Sequence, residues 1–348
     1  MQWSIRAYRP GDEAALVALY ERVYGRAISE AHWRWKAKGL PAPFENAWVV
    51  EAGDKLLGQY VVLPLRVHLN GQERWVVVGV DAMVAPEARR QGIWTALVEH
   101  GHAAWAKAGV AFALGLPNER WGSRVKALGW QAIFPLQWLV RPLRPERVLA
   151  QRWCLPFLRR VTAVGQMWHW LGPGRVRHEP GVTITPVQEA GHDIDAVWQH
   201  VQQDDLVSVV RDGRWVNWRY LTPPLFTYEV LLARQAGKPV GYVAYRVEET
   251  EGRRLGFVAE LVCRTADEAV RNSLLAVMTE RMWEMDVDSM VTQAVPGTPL
   301  YQGYRRAGYF KGRAAFTVRL VPLAADLSLA QLCQPQNWYL VGGDFDAI

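Results

Sequence analysis

Apolar positions along the first 143 residues follow two different periods, and together these predict a mixed α/β fold. Residues 13–24 carry apolar side chains at helical spacing, which is typical of an amphipathic helix packed on a core. Residues 59–68 and 73–84 are strand-like and meet at Asn70-Gly71, a dipeptide typical of a tight hairpin turn. Further elements are expected in this order: strands at 5–8 and 47–51, a helix from 92 to 105, a strand at 111–116, a helix at 119–127 and a strand at 137–141. A strand meander followed by strand–helix–strand predicts a mixed sheet with helices on both faces.

The spacing of landmark residues occurs twice along the chain. Trp35 precedes Gly58 by 23 residues, and Trp218 precedes Gly241 by the same 23. Two more matches, of 36 and then 12 residues, relate Asp81–Pro117–Gly129 to Glu260–Pro296–Gly308. A repeat this long predicts two copies of one domain and not a solenoid of short units.

These matches set the expected domain boundaries. One copy covers about 1–143 and the other about 181–323, with a connector at 144–180 and a C-terminal extension at 324–348. The connector interleaves apolar side chains with arginines, and Pro156 interrupts its pattern. Two interpretations stay open for it: a basic amphipathic stretch on a membrane surface, or a helical connector packed across the two domains.

Charge and cysteine content exclude several classes of protein. The net charge of +6 and the pI near 9.3 suit a phosphate-bearing ligand, but no block of five like charges is present, so nucleic acid is not expected as a partner. The three cysteines lie far apart and form neither a disulfide framework nor a zinc motif. No signal peptide or transmembrane run is recognisable, which predicts a cytoplasmic protein.

Residues 80–97 combine a strand, a loop and the start of a helix, and this arrangement predicts an anion site. Free N–H groups and the partial positive charge at a helix N-terminus favour a pyrophosphate. Gly92 lets a phosphate approach the backbone without a side chain between them. Arg89 and Arg90 add positive charge beside it.

The same stretch resembles the acyl-CoA loop of the GNAT (GCN5-related N-acetyltransferase) superfamily. Val84-Ala85-Pro86 and Arg89-x-x-Gly92 match the family pattern, whereas Trp94 departs from it at a position that is usually small. The segment 116–118 and the ending Leu128-Gly129-Trp130 are also similar to the family's. The resemblance covers the first copy and, through the repeat, extends to the second. It implies a fold of two tandem GNAT-like α/β domains.

The resemblance also implies where the acyl donor, acetyl-CoA or another acyl-CoA, would bind. Backbone N–H groups of the loop would hold the CoA pyrophosphate, the end of the preceding strand would pair with the pantetheine and polarise the thioester carbonyl, and an asparagine would contact the cofactor where two strands diverge. The corresponding residues are Gln91, Gly92, Ile93, Trp94 and Thr95 for the pyrophosphate, Met83 and Val84 for the strand end, and Asn118 for the asparagine.

Only a few residues are candidates for proton transfer. Asp81 lies in an apolar strand beside the cofactor strand end and is a candidate base, but Glu260 at the matching place of the second copy favours a shared structural role. The tyrosine that many family members use as acid is replaced by Val125, while the second copy has Tyr304. Glu119 is the nearest alternative acid, and equally an ordinary acid of a helix start.

The predicted function is N-acylation of a primary amine on a small molecule or sugar. In the second copy, residues 263–269 lie where the first copy has the loop, and they include acids and no glycine. The second copy is therefore expected to be degenerate and to shape the acceptor cleft. The alternatives are an inactive tandem protein that binds a ligand or partner, and a peripheral-membrane acyltransferase of a glycolipid or polysaccharide precursor. No metal site is expected, because Asp204-Asp205 and Asp344-Phe345-Asp346 have no partner ligands and are interpreted as loop or terminal charges.

Overall fold

The computed structural model describes residues 2–116, 124–154, 157, 161–172 and 174–345. The helices are α1 Glu13–Tyr24, α2 Glu30–Lys38, α3 Ile93–Lys107, α4 Arg124–Ala127, α5 Pro145–Arg152, α6 Thr162–Leu171, α7 His192–Val201, α8 Gly213–Val216, α9 Glu268–Glu284, α10 Pro299–Arg306 and α11 Leu329–Leu332. The strands are β1 Ser4–Ala7, β2 Ala47–Ala52, β3 Lys55–Leu69, β4 Gln72–Val84, β5 Phe112–Gly115, β6 Gln131–Pro142, β7 Val182–Pro186, β8 Val207–Val209, β9 Glu229–Gln235, β10 Lys238–Thr250, β11 Arg253–Cys263, β12 Ser289–Ala294, β13 Phe310–Pro322 and β14 Trp338–Tyr339. The predicted mixed α/β fold is confirmed.

The chain forms two compact units with the same internal order of elements. In the first unit the strands neighbour one another as β1-β2-β3-β4-β5-β13, and in the second as β7-β9-β10-β11-β12-β6. The helices α3 and α9 each connect the fourth strand of this order to the fifth, which lies parallel to it. The repeat seen in the residue spacing is therefore a repeat of architecture.

Each unit takes its last strand from the other sequence copy. The first unit consists of residues 1–134, 223–225 and 317–334, and the second of 135–222, 226–316 and 335–348. β13 pairs with β5 from Arg319↔Gly115 to Pro322↔Phe112, and β6 pairs with β12 from Gln137↔Ala294 to Pro142↔Ser289. The units consequently differ from the consecutive stretches 1–143 and 181–323, because hydrophobic periodicity cannot tell which of two equivalent strands pairs with β5.

A close approach of two strands explains the repeated glycine. Gly58 pairs with Val84 across β3–β4, and Gly241 pairs with Cys263 across β10–β11. A Cβ added at Gly58 would lie 2.9 Å from the carbonyl oxygen of Met83, and one at Gly241 would lie 2.5 Å from the equivalent carbonyl. No side chain fits between these strands, so both copies require glycine at this position.

Most local predictions hold, with shifts at the element ends. The hairpin at Asn70-Gly71 is confirmed, with positive φ of 50° and 83°. The closing strand β6 begins at Gln131, six residues earlier than expected, and α2 was not predicted at all. The helix expected at 119–127 is described only from Arg124, and its earlier residues lie outside the described part of the chain.

The connector belongs to the second unit and forms the helices α5 and α6. In the described part of the chain, no helix combines the length and apolar character needed to cross a bilayer.

We predict that the strand exchange is visible in hydrogen exchange. Leu320 of β13 and Leu139 of β6 are both fully buried, so truncating either to alanine should destabilise its surroundings by about 3 kcal/mol. Leu320→Ala should accelerate amide exchange in β5, and Leu139→Ala should accelerate it in β12, as measured by mass spectrometry of peptides covering each strand. The opposite pattern would contradict the pairing.

Candidate functional site

The end of β4 offers one side of its backbone to a ligand. Within the described residues, β4 pairs with β5 only at Val77↔Ala113 and Val78↔Leu114, while its pairing with β3 continues to Val84. Beyond Val78 this ladder ends, since β5 itself ends at Gly115, and β4 continues to Val84 paired with β3. The carbonyl oxygen of Ala82 accepts a hydrogen bond of 3.3 Å from the hydroxyl of Tyr24, at the end of α1.

The loop after β4 ends in a helix start that its own side chains do not cap. A short 3-10 turn at Pro86–Ala88 leads to Arg90, whose φ is +65°, and to Gly92, whose φ is +79°. Gly92 is the N-cap residue of α3, makes no side-chain capping bond, and is followed by no acid in the first turn. A Cβ at Gly92 would meet no atom within 4 Å. The N-terminus of α3 thus has no side-chain cap and has open space beside its cap residue, an arrangement that suits an anion.

The predicted loop residues divide into exposed and buried sets. Arg89, Arg90, Gln91 and Gly92 are exposed, and the Arg89 side chain donates to the carbonyl oxygen of Val84 at 3.4 Å. Exposure keeps two guanidinium groups beside the uncapped helix start, where they add to the positive potential.

The first turn of α3 anchors the loop to the core. Ile93 is buried, Thr95 is half-buried, and Trp94 is a partly buried member of the first unit's main hydrophobic cluster. Met83 and Val84 are buried in the same cluster. The bulk of Trp94 therefore serves packing, while the backbone that precedes it stays exposed at Gly92. Asn118 and Glu119 lie outside the described residues.

Asp81 takes part in a buried ion pair. One of its carboxylate oxygens lies 3.0 Å from the Lys36 ammonium nitrogen, and both side chains are less than a tenth exposed. In the second copy, Glu260 is fully buried and binds the Arg211 guanidinium at 2.8 Å. Both copies thus neutralise this acid with a buried cation, which favours the structural role for Asp81.

The tyrosine position of the family falls inside the core in both units. Val125 is buried on α4 in the first unit's cluster. Tyr304 is buried on α10 and packs edge-on against Tyr309 at 5.0 Å, and this burial raises the pKa of Tyr304 above its ordinary value.

In the second unit, carboxylates lie at the start of α9, the helix that corresponds to α3. Asp267 is the N-cap residue of α9, and its side chain accepts from the N–H of Val270 at 3.0 Å. Asp204 accepts from the N–H of Thr265 at 2.6 Å, and Glu268 adds a further negative charge in the first turn. The helix start that has no side-chain cap in α3 is capped in α9, so a phosphate would have to displace the Asp267 carboxylate there.

The C-terminal segment occupies the strand end of the second unit. The hydroxyl of Tyr339 donates to the carbonyl oxygen of Leu261, the counterpart of Ala82, and Val341 forms a bridge with Ala294 at the end of β12. Asp344 is fully buried and binds Arg211 at 2.7 Å. The expectation that Asp344 is a terminal surface charge was therefore wrong, because residues distant in sequence supply its cation.

A cavity of about 30 Å³ remains beside this segment, lined by Cys263, Thr298 and Tyr339 among others. This volume has room for about two water molecules. Burial raises the pKa of the Cys263 thiol to about 12, which keeps the thiol protonated.

No group of three or more potential metal ligands occurs among the described residues. His102 is half-buried beside Trp130, and desolvation lowers its pKa to about 4. It is therefore a neutral packing residue at pH 7.

Two residues of the site were missed from the sequence. Tyr24 ends a predicted helix, and Lys36 directly follows Trp35 in a segment for which no element was predicted. Neither belongs to a motif, and only the packing of α1 and α2 brings them to β4.

Comparison with known proteins agrees with this geometry. Residues 4–133 match the family model described as "Acetyltransferase (GNAT) domain". This stretch is a GNAT domain. It contains β4, the loop and α3, so the open helix start lies within the matched region. None of the curated proteins matches the chain.

Solved structures extend the fold similarity beyond the GNAT domain. A GCN5-related N-acetyltransferase from Anabaena variabilis aligns with a TM-score of 0.64 at 12% identity. The alignment covers 93% of this chain and 73% of the chain of that structure. A conserved protein of unknown function from Enterococcus faecalis, described as a probable N-acyltransferase, aligns with a TM-score of 0.65 at 14% identity and the same coverage. At these identities the similarity shows a shared fold that includes both copies.

We predict that Asp81 and Lys36 stabilise the GNAT domain as a pair. Asp81→Asn should lower the free energy of unfolding by about 3 kcal/mol, because it leaves a buried ammonium uncompensated. Lys36→Met combined with Asp81→Asn should recover part of this loss in a double-mutant cycle measured by urea denaturation. If Asp81→Asn instead leaves stability unchanged and abolishes turnover, Asp81 is the base and the structural assignment is wrong.

Proposed function

We propose that this protein is an acyl-CoA-dependent N-acyltransferase that uses its GNAT domain to move an acyl group, acetyl in the simplest case, to a primary amine. The open N-terminus of α3, with Gly92 at its cap position and no acid in its first turn, is the observation that carries this proposal. The internally capped α9 supports donor binding by the first unit only.

The described residues fit an acyl-CoA donor. The pyrophosphate would accept from the first N–H groups of α3, beside Arg89 and Arg90. The pantetheine arm would lie along the edge of β4 that β5 leaves after Val78, and a backbone N–H there would polarise the thioester carbonyl. Asn118 remains a proposed contact at the point of divergence.

The reaction forms a C–N bond and breaks the C–S bond of the thioester. The neutral amine attacks the carbonyl carbon, the thiolate of CoA leaves and gains a proton, and the amine nitrogen loses one. Tyr24 is our candidate for the proton donor, because its hydroxyl lies at the open edge of β4 and its side chain is 42% exposed. Glu119 remains an alternative donor, and Asp81 is less suited to be the base because Lys36 holds its carboxylate.

Two alternatives make different predictions. An inactive tandem protein would bind CoA, or another ligand, without releasing thiol. An acyltransferase of glycolipid or polysaccharide precursors would turn over only amine-bearing acceptors of that class. A screen for thiol release from acetyl-CoA with amines that include aminoglycosides, amino sugars and aminolipids separates these possibilities from the small-molecule enzyme.

We predict that acetyl-CoA raises the thermal unfolding temperature and that Gly92→Glu abolishes the increase. A ligand at one hundred times its Kd stabilises the folded state by about 2.7 kcal/mol through mass action. The substitution places a carboxylate in the open space beside the helix start, where it would compete with the phosphate. No thermal shift at millimolar acetyl-CoA would contradict the proposal.

Gly109→Glu is a matched control for the strain of that substitution. Gly109 follows the other end of α3, has the same φ of +79°, and likewise has open space at its Cβ position. Both variants should lose about 1 kcal/mol of stability through the left-handed backbone, but only Gly92→Glu should lose the response to acetyl-CoA.

We predict that Tyr24→Phe lowers kcat about a hundredfold and leaves stability within about 0.5 kcal/mol of the parent. Tyr8→Phe is the control, since it removes a hydroxyl that binds Glu13 near the opposite end of α1. Steady-state thiol release with an accepted amine gives both values, and an unchanged kcat in Tyr24→Phe would remove this tyrosine from the chemistry.

A further inference from the structure

Large apolar side chains are exposed at high density in the connector. Six of them lie within residues 149–167, and we call this set the connector patch: Leu149, Trp153, Phe157, Val161, Val164 and Met167. Trp153 and Met167 are each 60% exposed. Scattered single apolar residues are normal on a protein surface, whereas a cluster of this kind marks an interaction site.

The helices that carry the patch are held in place from one side. Arg147 of α5 binds Asp286 at 2.8 Å, and Trp168 of α6 donates to the carbonyl oxygen of Pro142 at 3.0 Å. His169 stacks on Trp283 with ring centres 4.3 Å apart. α5 and α6 also pack closely on each other, since a Cβ at Gly165 would lie 2.6 Å from a Glu146 oxygen.

Two residues of the patch lie on the other sides of these helices. Leu149 lies roughly 200° around the axis of α5 from Arg147, and Trp153 directly follows the helix. On α6, Met167 lies roughly 200° around the axis from Gly165, whereas Val164 is one turn before Trp168. The helices held by Arg147 and Trp168 thus carry exposed apolar side chains on the second unit.

The charge of the chain is concentrated in the same segment. Residues 144–180 contain seven Arg, two Glu and no Lys or Asp, a formal charge of +5 out of +6 for all 348 residues. One of the two acids, Glu146, is buried. Arg144 and Arg147 bind Asp286. The other five arginines of the connector sequence are Arg152, Arg159, Arg160, Arg175 and Arg177.

We propose that the connector patch docks the protein on the surface of a bilayer that contains anionic phospholipids. Trp, Phe, Met and aliphatic side chains would enter the boundary between headgroups and acyl chains, while the arginines would contact the lipid phosphates. Aliphatic side chains gain nothing from the phosphates of a nucleic acid, and a patch formed only for a protein partner does not need this excess of positive charge. Charge and apolar exposure together favour the lipid surface.

Flotation with vesicles tests the proposal on the full chain. Vesicles of phosphatidylcholine with about one-third phosphatidylglycerol should bind the protein, vesicles of phosphatidylcholine alone should bind it at least tenfold more weakly, and added salt should weaken binding to the anionic vesicles. Trp153→Ser combined with Met167→Gln should weaken that binding at least about tenfold, because two side chains no longer enter the boundary. Both positions are exposed, so folding should persist.

Leu225→Ser is the matched control, since Leu225 is 58% exposed and lies outside the connector. It should bind within twofold of the parent. Protein that stays unbound with anionic vesicles at low salt overturns the proposal. Equal binding of the parent and the Trp153/Met167 double variant to anionic vesicles also overturns it. The proposal is likewise overturned if single-stranded RNA binds the parent and this variant equally well and vesicles bind neither.

A probe on Cys154 gives an independent measurement. Cys154 is exposed next to Trp153, whereas the thiol of Cys263 is buried. In a Cys333→Ser background, an environment-sensitive fluorophore on Cys154 should shift to shorter emission wavelength on anionic vesicles. An unchanged spectrum with bound protein would show that another surface makes the contact.

Discussion

An α-helix cannot satisfy the N–H groups of its own first turn, and the two units of this chain meet that constraint in opposite ways. At α3 the cap position is a glycine with a left-handed backbone, and no side chain caps the turn. At α9 the carboxylate of Asp267 accepts from the helix start. The first unit therefore leaves room for an external anion at this helix start, whereas in the second unit the Asp267 carboxylate takes that role. The proposed assignment of the acyl-CoA donor to the first unit rests on this difference.

The two units also differ at the ends of the corresponding strands β4 and β11. In the second unit the segment from Trp338 to Asp344 pairs with β8, bonds to Leu261 and places a carboxylate on Arg211. Glu260 binds the same guanidinium, so one buried arginine is compensated by two acids. Burying charges is costly unless they are paired and hydrogen-bonded, and this network meets both conditions. The region that would hold a pantetheine has become part of the core.

Asp81 and Glu260 occupy the same position in the two copies, and each is an acid within an apolar strand. Its chemical role depends on the cation that faces it. Lys36 on α2 provides that cation in the GNAT domain, and Arg211 provides it in the second unit. An acid held in this way supports the sheet where β4 or β11 leaves its parallel neighbour.

The sequence by itself determined the mixed α/β class, the repeat, the hairpin and the helix start after the loop at Gly92. These depend on local periodicity, on backbone conformations that few residues adopt, and on the unsatisfied N–H groups of any helix start. Only the tertiary structure decided that β13 completes the first unit, that Lys36 faces Asp81, that Tyr24 reaches Ala82 and that Asp344 is buried. Each of these joins residues far apart in sequence, and equivalent strands or like charges in the two copies offer alternatives that packing alone resolves.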